Sequence, residues 1–421
     1  MTLDTEAQQV RQARSRFAAM AGSYFMGTFN DNFYKQAVML LAVTLGMKQF
    51  QGLVGAAFTI PFIIFAAPAG WFADRFPKRR IVIGAKSLEL LAAFVGAYGI
   101  LTGHMWIMIG MVGLMGIQST FFSPALNGSI PELYPPSHVT QANAMLRMIV
   151  SVGILVGITL AGFVLGMQGN PLLGATFGHG MVGLAVIVFA IIGLGVSLGI
   201  PSRPAADPER PFPWSGPLDT CRELGAIWRD HQLGRVLLAD VFIWSAGVFQ
   251  LLVINTLGKE QFHLGDARTS LLVASQLLGL ACGGLLSARF AKGERWFRVL
   301  LPAGLLMGLA MLALALVPSM PRGVQIPALY ALIALAGAGG GLFMIPCESF
   351  LQVRPAPERK GAVWASANFA AFLGMSAVSL AYTLIPALSA LRPTLAYGGL
   401  GVASLAFTLW LRMEFRGKAW A

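Results

Sequence analysis

Gly70-Trp71-Phe72-Ala73-Asp74-Arg75-Phe76-Pro77-Lys78-Arg79-Arg80 is the stretch that decides the fold. An apolar run, 52–73, stops at an acid, passes four basic residues in six positions, and gives way at once to a second apolar run, 81–102. Each run is about 20 residues, the length of helix that spans ~30 Å of hydrocarbon. A short basic loop between two such runs is the pattern of a membrane hairpin held at the inner surface.

Working outward, the same pattern recurs. Apolar runs cover roughly 17–45, 52–73, 81–102, 105–126, 140–166, 179–200, 234–257, 269–290, 298–317, 325–347, 361–386 and 393–413, which makes twelve. The 421 residues are 56% hydrophobic and only 11% charged. A soluble domain carries about 25% charged residues, so lipid is the solvent for most of this chain. The formal charge of +12 is spread over many short loops, which speaks against a nucleic-acid patch. Residues 1–16 are polar and the run after them is too long for a signal-peptide core, so no cleavable signal is expected.

Orientation follows from where Lys and Arg fall. With the N-terminus inside, the inner segments hold 22 of the 30 basic residues and the outer loops five, namely Lys48, Lys259, Arg268, Arg322 and Arg392. That bias predicts an even number of spans with both termini cytoplasmic. The longest polar segment, 201–233, is proline-rich to Pro217 and reads first as an extended linker. From Leu218 to Arg235 it turns helical, with Leu224, Ile227 and Trp228 on one side, and is expected either to lie along the membrane or to be a solvated linker helix.

The halves on either side of this linker resemble each other. Gly70–Arg75 reads G-W-F-A-D-R, and Gly284–Arg289 reads G-L-L-S-A-R. Pro124 is matched by Pro346, 222 positions on, and Ala142-Asn143 by Ala367-Asn368, 225 positions on. The expected fold is therefore all-α, with twelve transmembrane helices in two pseudo-symmetric six-helix bundles, 1–200 and 234–421, joined by 201–233. Parallel repeats of this kind put a substrate site between the halves near the midplane.

The loop at Gly70–Arg80 resembles the signature loop of the major facilitator superfamily. Its glycine permits close helix packing, its Asp suits a helix end or an Arg partner, and its basic run suits the anionic inner leaflet. The resemblance implies that the loop latches one of the alternating conformations. It gives gating roles to Gly70, Asp74, Arg75, Lys78 and Arg79, and to Arg289 in the matching loop. Glu348, after Pro346, is a further candidate gate, with structural pairing as the alternative.

Ionisable residues inside the spans are few, and each costs at least a few kcal/mol unless paired or used. They are Asp31 and Lys35, Lys86 and Glu89, Arg147, Asp240 and Glu348. Asp31 lies ~21 Å along its helix from Phe17, beyond the midplane. Asp31 and Lys35 are spaced i, i+4, and Lys86 and Glu89 i, i+3, so either pair can meet on one helix face. Asn30, Asp31, Asn32 and Lys35 form a candidate polar platform in a central cavity, with a buried structural pair as the alternative. Lys86 has the further alternative of snorkelling to the surface, and Arg147 that of pairing with an acid. Asp240 lies close to the interface and reads as structural.

Phe29-Asn30-Asp31-Asn32, Ser123-Pro124-Ala125, Pro131-Glu132-Leu133, the K-x-x-E of Lys86 and Glu89, and Gly339-Gly340-Gly341-Leu342-Phe343 narrow the resemblance. Together they look like the lysophospholipid transporter branch, which includes membrane domains fused to acyltransferase and acyl-ACP synthetase modules. That branch implies inward flipping of lysophosphatidylethanolamine-like lipids for reacylation, with a separately encoded acyltransferase or synthetase partner, and it allows a monomer. It assigns Asp31 and Asn32 to the substrate. Members often carry a basic residue after S-P-A, where this chain has Leu126 and Asn127. Some carry an arginine after W-x-A-G, where this chain has Gln250. Lys35, Lys86 or Arg147 then has to meet the phosphate. The alternative function is proton-coupled efflux of amphipathic small molecules, with Asp31 or Glu89 as proton carrier.

Enzyme chemistry finds no support. None of the five histidines has an Asp five positions on, as an acyltransferase H-x4-D would require, and no phosphate-loop motif is present. Cys221, Cys282 and Cys347 fall in no metal spacing. Neither a metal nor a cofactor is expected.

Overall fold

A computed structural model of the chain describes residues 3–291 and 293–415. Of the 22 inner basic residues, Lys292, Arg416 and Lys418 lie outside them, as do the side chains of Arg11 and Arg295, and so do the side chains of Pro131 and Glu132. Among the described residues the chain is helical apart from one isolated bridge between Leu172 and Ala175. It folds as two compact units, Met1–Leu41 with Ala57–Gly216 and Ala42–Ala56 with Pro217–Ala421.

The first unit contains most of α1 (Leu3–Thr44), the second half of α2 (Phe50–Ile64), α3 (Ala66–Arg75), α4 (Lys78–Thr102), α5 (Met105–Asn127), α6 (Ile130–Leu133), α7 (Pro136–Leu165) and α8 (Phe177–Ser197). The second contains α9 (Gly216–Arg229), α10 (His231–Thr256), α11 (Asp266–Phe290), α12 (Leu300–Leu316), α13 (Arg322–Val353), α14 (Lys360–Leu384), α15 (Pro386–Ala390) and α16 (Pro393–Phe415). Among the described residues, ten helices are long and apolar enough to cross a membrane, and an eleventh if α2 and α3 count as one span bent by 55°. The bend has a covalent cause. Pro68 has no N–H for the carbonyl of Ile64, four residues back, and the helix breaks there. The twelfth expected span lies in α1. Its 42 residues are more than long enough, but the Asn30–Asn32 cluster and Lys35 dilute its apolar character.

The helix expected over Leu218–Arg235 ends six residues early. Asp230 accepts hydrogen bonds from the amides of Gln232 and Leu233, both at 3.1 Å, and so caps a new helix, α10. In α9, Ile227 is fully buried and Leu224 half-buried, while Leu218 and Trp228 face outward. Of the apolar side expected to rest on lipid, Ile227 is thus turned into the protein while Trp228 stays open. Within the second unit, the segment 42–56 is gripped by ion pairing of Lys48 with Glu260 at 2.7 Å and by a bond from Gln51 to Thr256 at 3.1 Å.

Helices α11 and α13 approach until their backbones touch. A methyl group added at Gly283 would overlap the carbonyl of Ala338, and one at Gly341 the carbonyl of Leu280. Small residues allow this in membranes, where packing has no help from water. The glycine run 339–341 is therefore a helix seam. Gly341→Val or Gly283→Val is expected to cost about 1–3 kcal/mol or more through overpacking, seen as severalfold less monodisperse protein by size-exclusion chromatography. Gly70 behaves differently. A methyl there would meet nothing within 4 Å, so the close packing expected of this glycine is absent, and Gly70→Ala should leave the folded yield unchanged.

Candidate functional site

In the first unit, α1 presents its polar residues to three other helices. Asp31 is 4% exposed. Its carboxylate accepts a hydrogen bond from Ser119 Oγ at 2.5 Å and from Gln118 Nε2 at 3.2 Å, both on α5. Lys35, expected as an i, i+4 partner, does not pair with it at ion-pair distance. The ammonium instead lies 4.0 Å from the centroid of the Phe58 ring, a cation–π contact. Two side chains one turn apart share a face of α1, but α5 offers better donors to the carboxylate than Lys35 does, because its hydroxyl and amide need no long side chain to be immobilised.

One residue earlier, Asn30 turns to α4 and α8. Its amide nitrogen donates to Glu89 Oε1 at 3.1 Å and to the Val186 carbonyl at 3.3 Å. Glu89 also binds Lys86 Nζ at 2.6 Å, and both side chains are fully buried. Lys86 therefore does not snorkel. Gly27 leaves the room into which its ammonium fits, and the Phe122 ring lies 4.8 Å away. Lys35, Lys86 and Glu89 all lie within electrostatic reach of Asp31. Two carboxylates and two ammoniums sum to zero, which is how such a group is tolerated in a low dielectric.

Two acceptors in this cluster are left over. Asn30 Oδ1 and Gln118 Oε1 are buried with no hydrogen-bond partner among the described residues. Their orientation is set by the network, since the amide nitrogen of each already serves an acidic acceptor. Buried acceptors without donors are costly, and what they lack is N–H or O–H.

The remaining sequence candidates fall elsewhere. Asn32 is half-buried and its amide donates to the Thr28 carbonyl at 2.8 Å. Arg147 is exposed on α7 and, among the described residues, has no acidic partner. Gln250 is buried in the second unit, its Oε1 also unpartnered. Glu348 is half-buried on α13, within electrostatic reach of the buried Asp240 on α10. Arg289 is exposed in the last turn of α11.

The loop at Gly70–Arg80 has an unforeseen partner in the chain that follows α8. Asp74 pairs with Arg210, and the Asp74 carbonyl accepts from the Asp207 amide at 2.9 Å. The Arg210 carbonyl is held from the other side by Trp71 Nε1 at 2.9 Å and Arg75 at 2.8 Å, with Phe212 edge-on to Trp71. Lys78 and Arg79 reach the ends of α5 and α8, donating to the carbonyls of Gly128 at 2.8 Å and Leu198 at 3.1 Å. Cations at helix C-termini satisfy the last carbonyls and the dipole together.

Gln118 and Ser119 were missed by a reading confined to ionisable groups. Their signal is a polar pair inside an otherwise apolar fourth run, 105–126.

Comparison with known proteins agrees on one family. The sequence model described as Major Facilitator Superfamily matches residues 17–379. A lysophospholipid transporter, LplT, of Enterobacter sp. (strain 638) is 28% identical over 346 residues, covering 80% of each chain. LplT of Yersinia enterocolitica is 28% identical over 353 residues, covering 81% of this chain and 80% of its own. Among solved structures, a bacterial homolog of the human lysosomal transporter Spinster aligns with TM-score 0.67 at 15% identity, over 95% of both chains. The xylose transporter XylE of E. coli aligns with TM-score 0.69 at 17% identity, over 97% of this chain and 98% of its own.

Proposed function

Since the chain belongs to the major facilitator superfamily, and is thus a multi-pass secondary transporter and not an enzyme, we propose that its cargo is a lysophospholipid of the lysophosphatidylethanolamine type. The lipid is flipped toward the cytoplasmic leaflet of the bacterial inner membrane. The halves 1–200 and 234–421 rock about a site that draws on Asn30, Asp31, Asn32, Lys35, Lys86, Glu89, Arg147 and Gln250. The loop at Gly70–Arg80, Arg289 and Glu348 gate the cytoplasmic side, where both termini lie. A separately encoded acyltransferase or acyl-ACP synthetase then consumes the product, and the transporter acts as a monomer.

One observation carries this reading: the acceptors around Asp31. A carboxylate and two unpartnered amide oxygens lie on neighbouring residues of α1 and on α5 in one unit. An ethanolamine ammonium brings three N–H donors and a positive charge, and no acceptor. Lys35 lies one turn away, with a ring in place of a carboxylate for company, and so suits the lipid phosphate. The likeness to the LplT proteins, at 28% identity, supports the same cargo.

The test is uptake of labelled lysophosphatidylethanolamine by cells that lack their own transporter. Uptake well above the empty vector is the expected result. Vector-level uptake, together with extrusion of amphipathic drugs that collapses with the proton gradient, would replace this reading by proton-coupled efflux.

A further inference from the structure

We propose that residues 207–216, which run from the linker into α9, are a releasable strap bound along one face of α3, and that transport requires this strap to let go. The proposal rests on the gating role given above to the Gly70–Arg80 loop, which begins in α3.

The strap meets α3 in reverse order, residue by residue. At the end of α3, Asp74 pairs with Arg210, and the Asp74 carbonyl accepts from the Asp207 amide at 2.9 Å. One turn back, the Phe212 ring stands edge-on to Trp71, with centroids 5.1 Å apart. A further turn back, a methyl added at Gly216 would come within 2.5 Å of the Ala67 Cβ. Ala67, Trp71 and Asp74 are spaced i, i+4, i+7, which is one face of a helix. The strap therefore follows that face for ~10 Å, and Gly216 is small enough to let the chain close on it.

The strap docks at low entropic cost and is held weakly. Pro211 and Pro213 fix their own backbone angles, so little freedom is left to lose on docking. The Arg210 and Asp74 side chains are 48% and 35% exposed, and ion pairs open to water contribute little. Such an element has two states near balance, and a modest bias moves it from one to the other. A source of bias is built in. From Pro217 onward the chain belongs to the second unit, so displacement of that unit pulls on the strap and, through it, on α3. While docked, the strap also occupies the loop's own polar groups. Asp74 is taken by Arg210, and Arg75 donates to the Arg210 carbonyl at 2.8 Å. A latch occupied in this way is closed to other partners until the strap leaves.

The experiment uses purified full-length protein and hydrogen exchange read by mass spectrometry, with peptides covering 205–216 and 66–75. Arg210→Ala is expected to speed exchange in both about fivefold, the upper worth of an exposed ion pair. Trp71→Phe, which keeps a ring and loses the donor, should speed it less. Arg222→Ala, which removes the same charge from α9, should exchange as the parent does. Parent-like exchange in Arg210→Ala would overturn the strap. Release is read by pinning, in protein whose three native cysteines are replaced by alanine. Trp71→Cys and Phe212→Cys are joined by a short cross-linker that a reductant cleaves. Uptake of labelled lysophosphatidylethanolamine is expected to fall to the empty-vector level on cross-linking and to return on cleavage, which also shows that the pinned protein was folded. Full uptake with the strap pinned would overturn the need for release. Vector-level uptake by the parent would strike the cargo and not the strap, which the exchange then decides alone.

Discussion

Lys86→Ala is expected to lose most of its folded protein, with a destabilisation of about 3–5 kcal/mol. The ammonium is fully buried and bound to Glu89 at 2.6 Å. Removing it leaves a carboxylate in the bilayer interior with, among the described residues, only Asn30 to serve it, and an unpaired buried charge is among the most costly defects a fold can carry. Glu89→Ala should be as harmful, because it strands the ammonium. Lys86→Met combined with Glu89→Met should recover much of the loss, since exchanging a whole buried pair for apolar side chains is often neutral or better. Melting temperature and monodispersity read this directly. A single variant that melts like the parent would mean that water reaches the pair. The double variant also assigns the pair's role. Full transport would make Lys86 and Glu89 structural, and a folded but inactive protein would place them on the substrate path.

Asp31→Ala is expected to fold and to take up lysophosphatidylethanolamine about thirtyfold more slowly, the equivalent of ~2 kcal/mol for a desolvated charge partner. Folding should survive because the groups left behind, Ser119 and Gln118, also bond to each other at 2.8 Å. Asp31→Asn sharpens the result. It keeps an acceptor for Ser119 but loses the charge that an ammonium needs. It should therefore impair lysophosphatidylethanolamine far more than lysophosphatidylglycerol, whose head group has no ammonium. Equal impairment of both lipids would assign Asp31 to helix packing.

Some of this arrangement is legible in the sequence, and the reason lies in range. The spans follow from local composition, and the pairing of Lys86 with Glu89 follows from a spacing of three on one helix. Spacing says which residues share a face, not what that face meets. Asp31 and Lys35 do share one, yet the carboxylate's partners, Gln118 and Ser119, come from 87 and 88 positions away. Arg210 and Asp74 are 136 apart, joined at a surface with no hydrophobic period to mark them. The same limit explains α9. Leu224, Ile227 and Trp228 look like one lipid-facing side until Asp230 ends the helix and the protein itself covers Ile227. The Gly70 loop is the converse case. Its motif pointed to the family, while the role given to its glycine has no counterpart among its neighbours.

The chain does not pass from one unit to the other just once, at the linker. It crosses between Leu41 and Ala42, returns between Ala56 and Ala57, and crosses again at Gly216–Pro217. In the language of tethers, the two bodies share three covalent passages, and the familiar leash is only the last. A protease that clips at 216 leaves the other two intact. The nicked transporter stays a single particle, held by the hairpin 42–56 that the first fragment lends to the second.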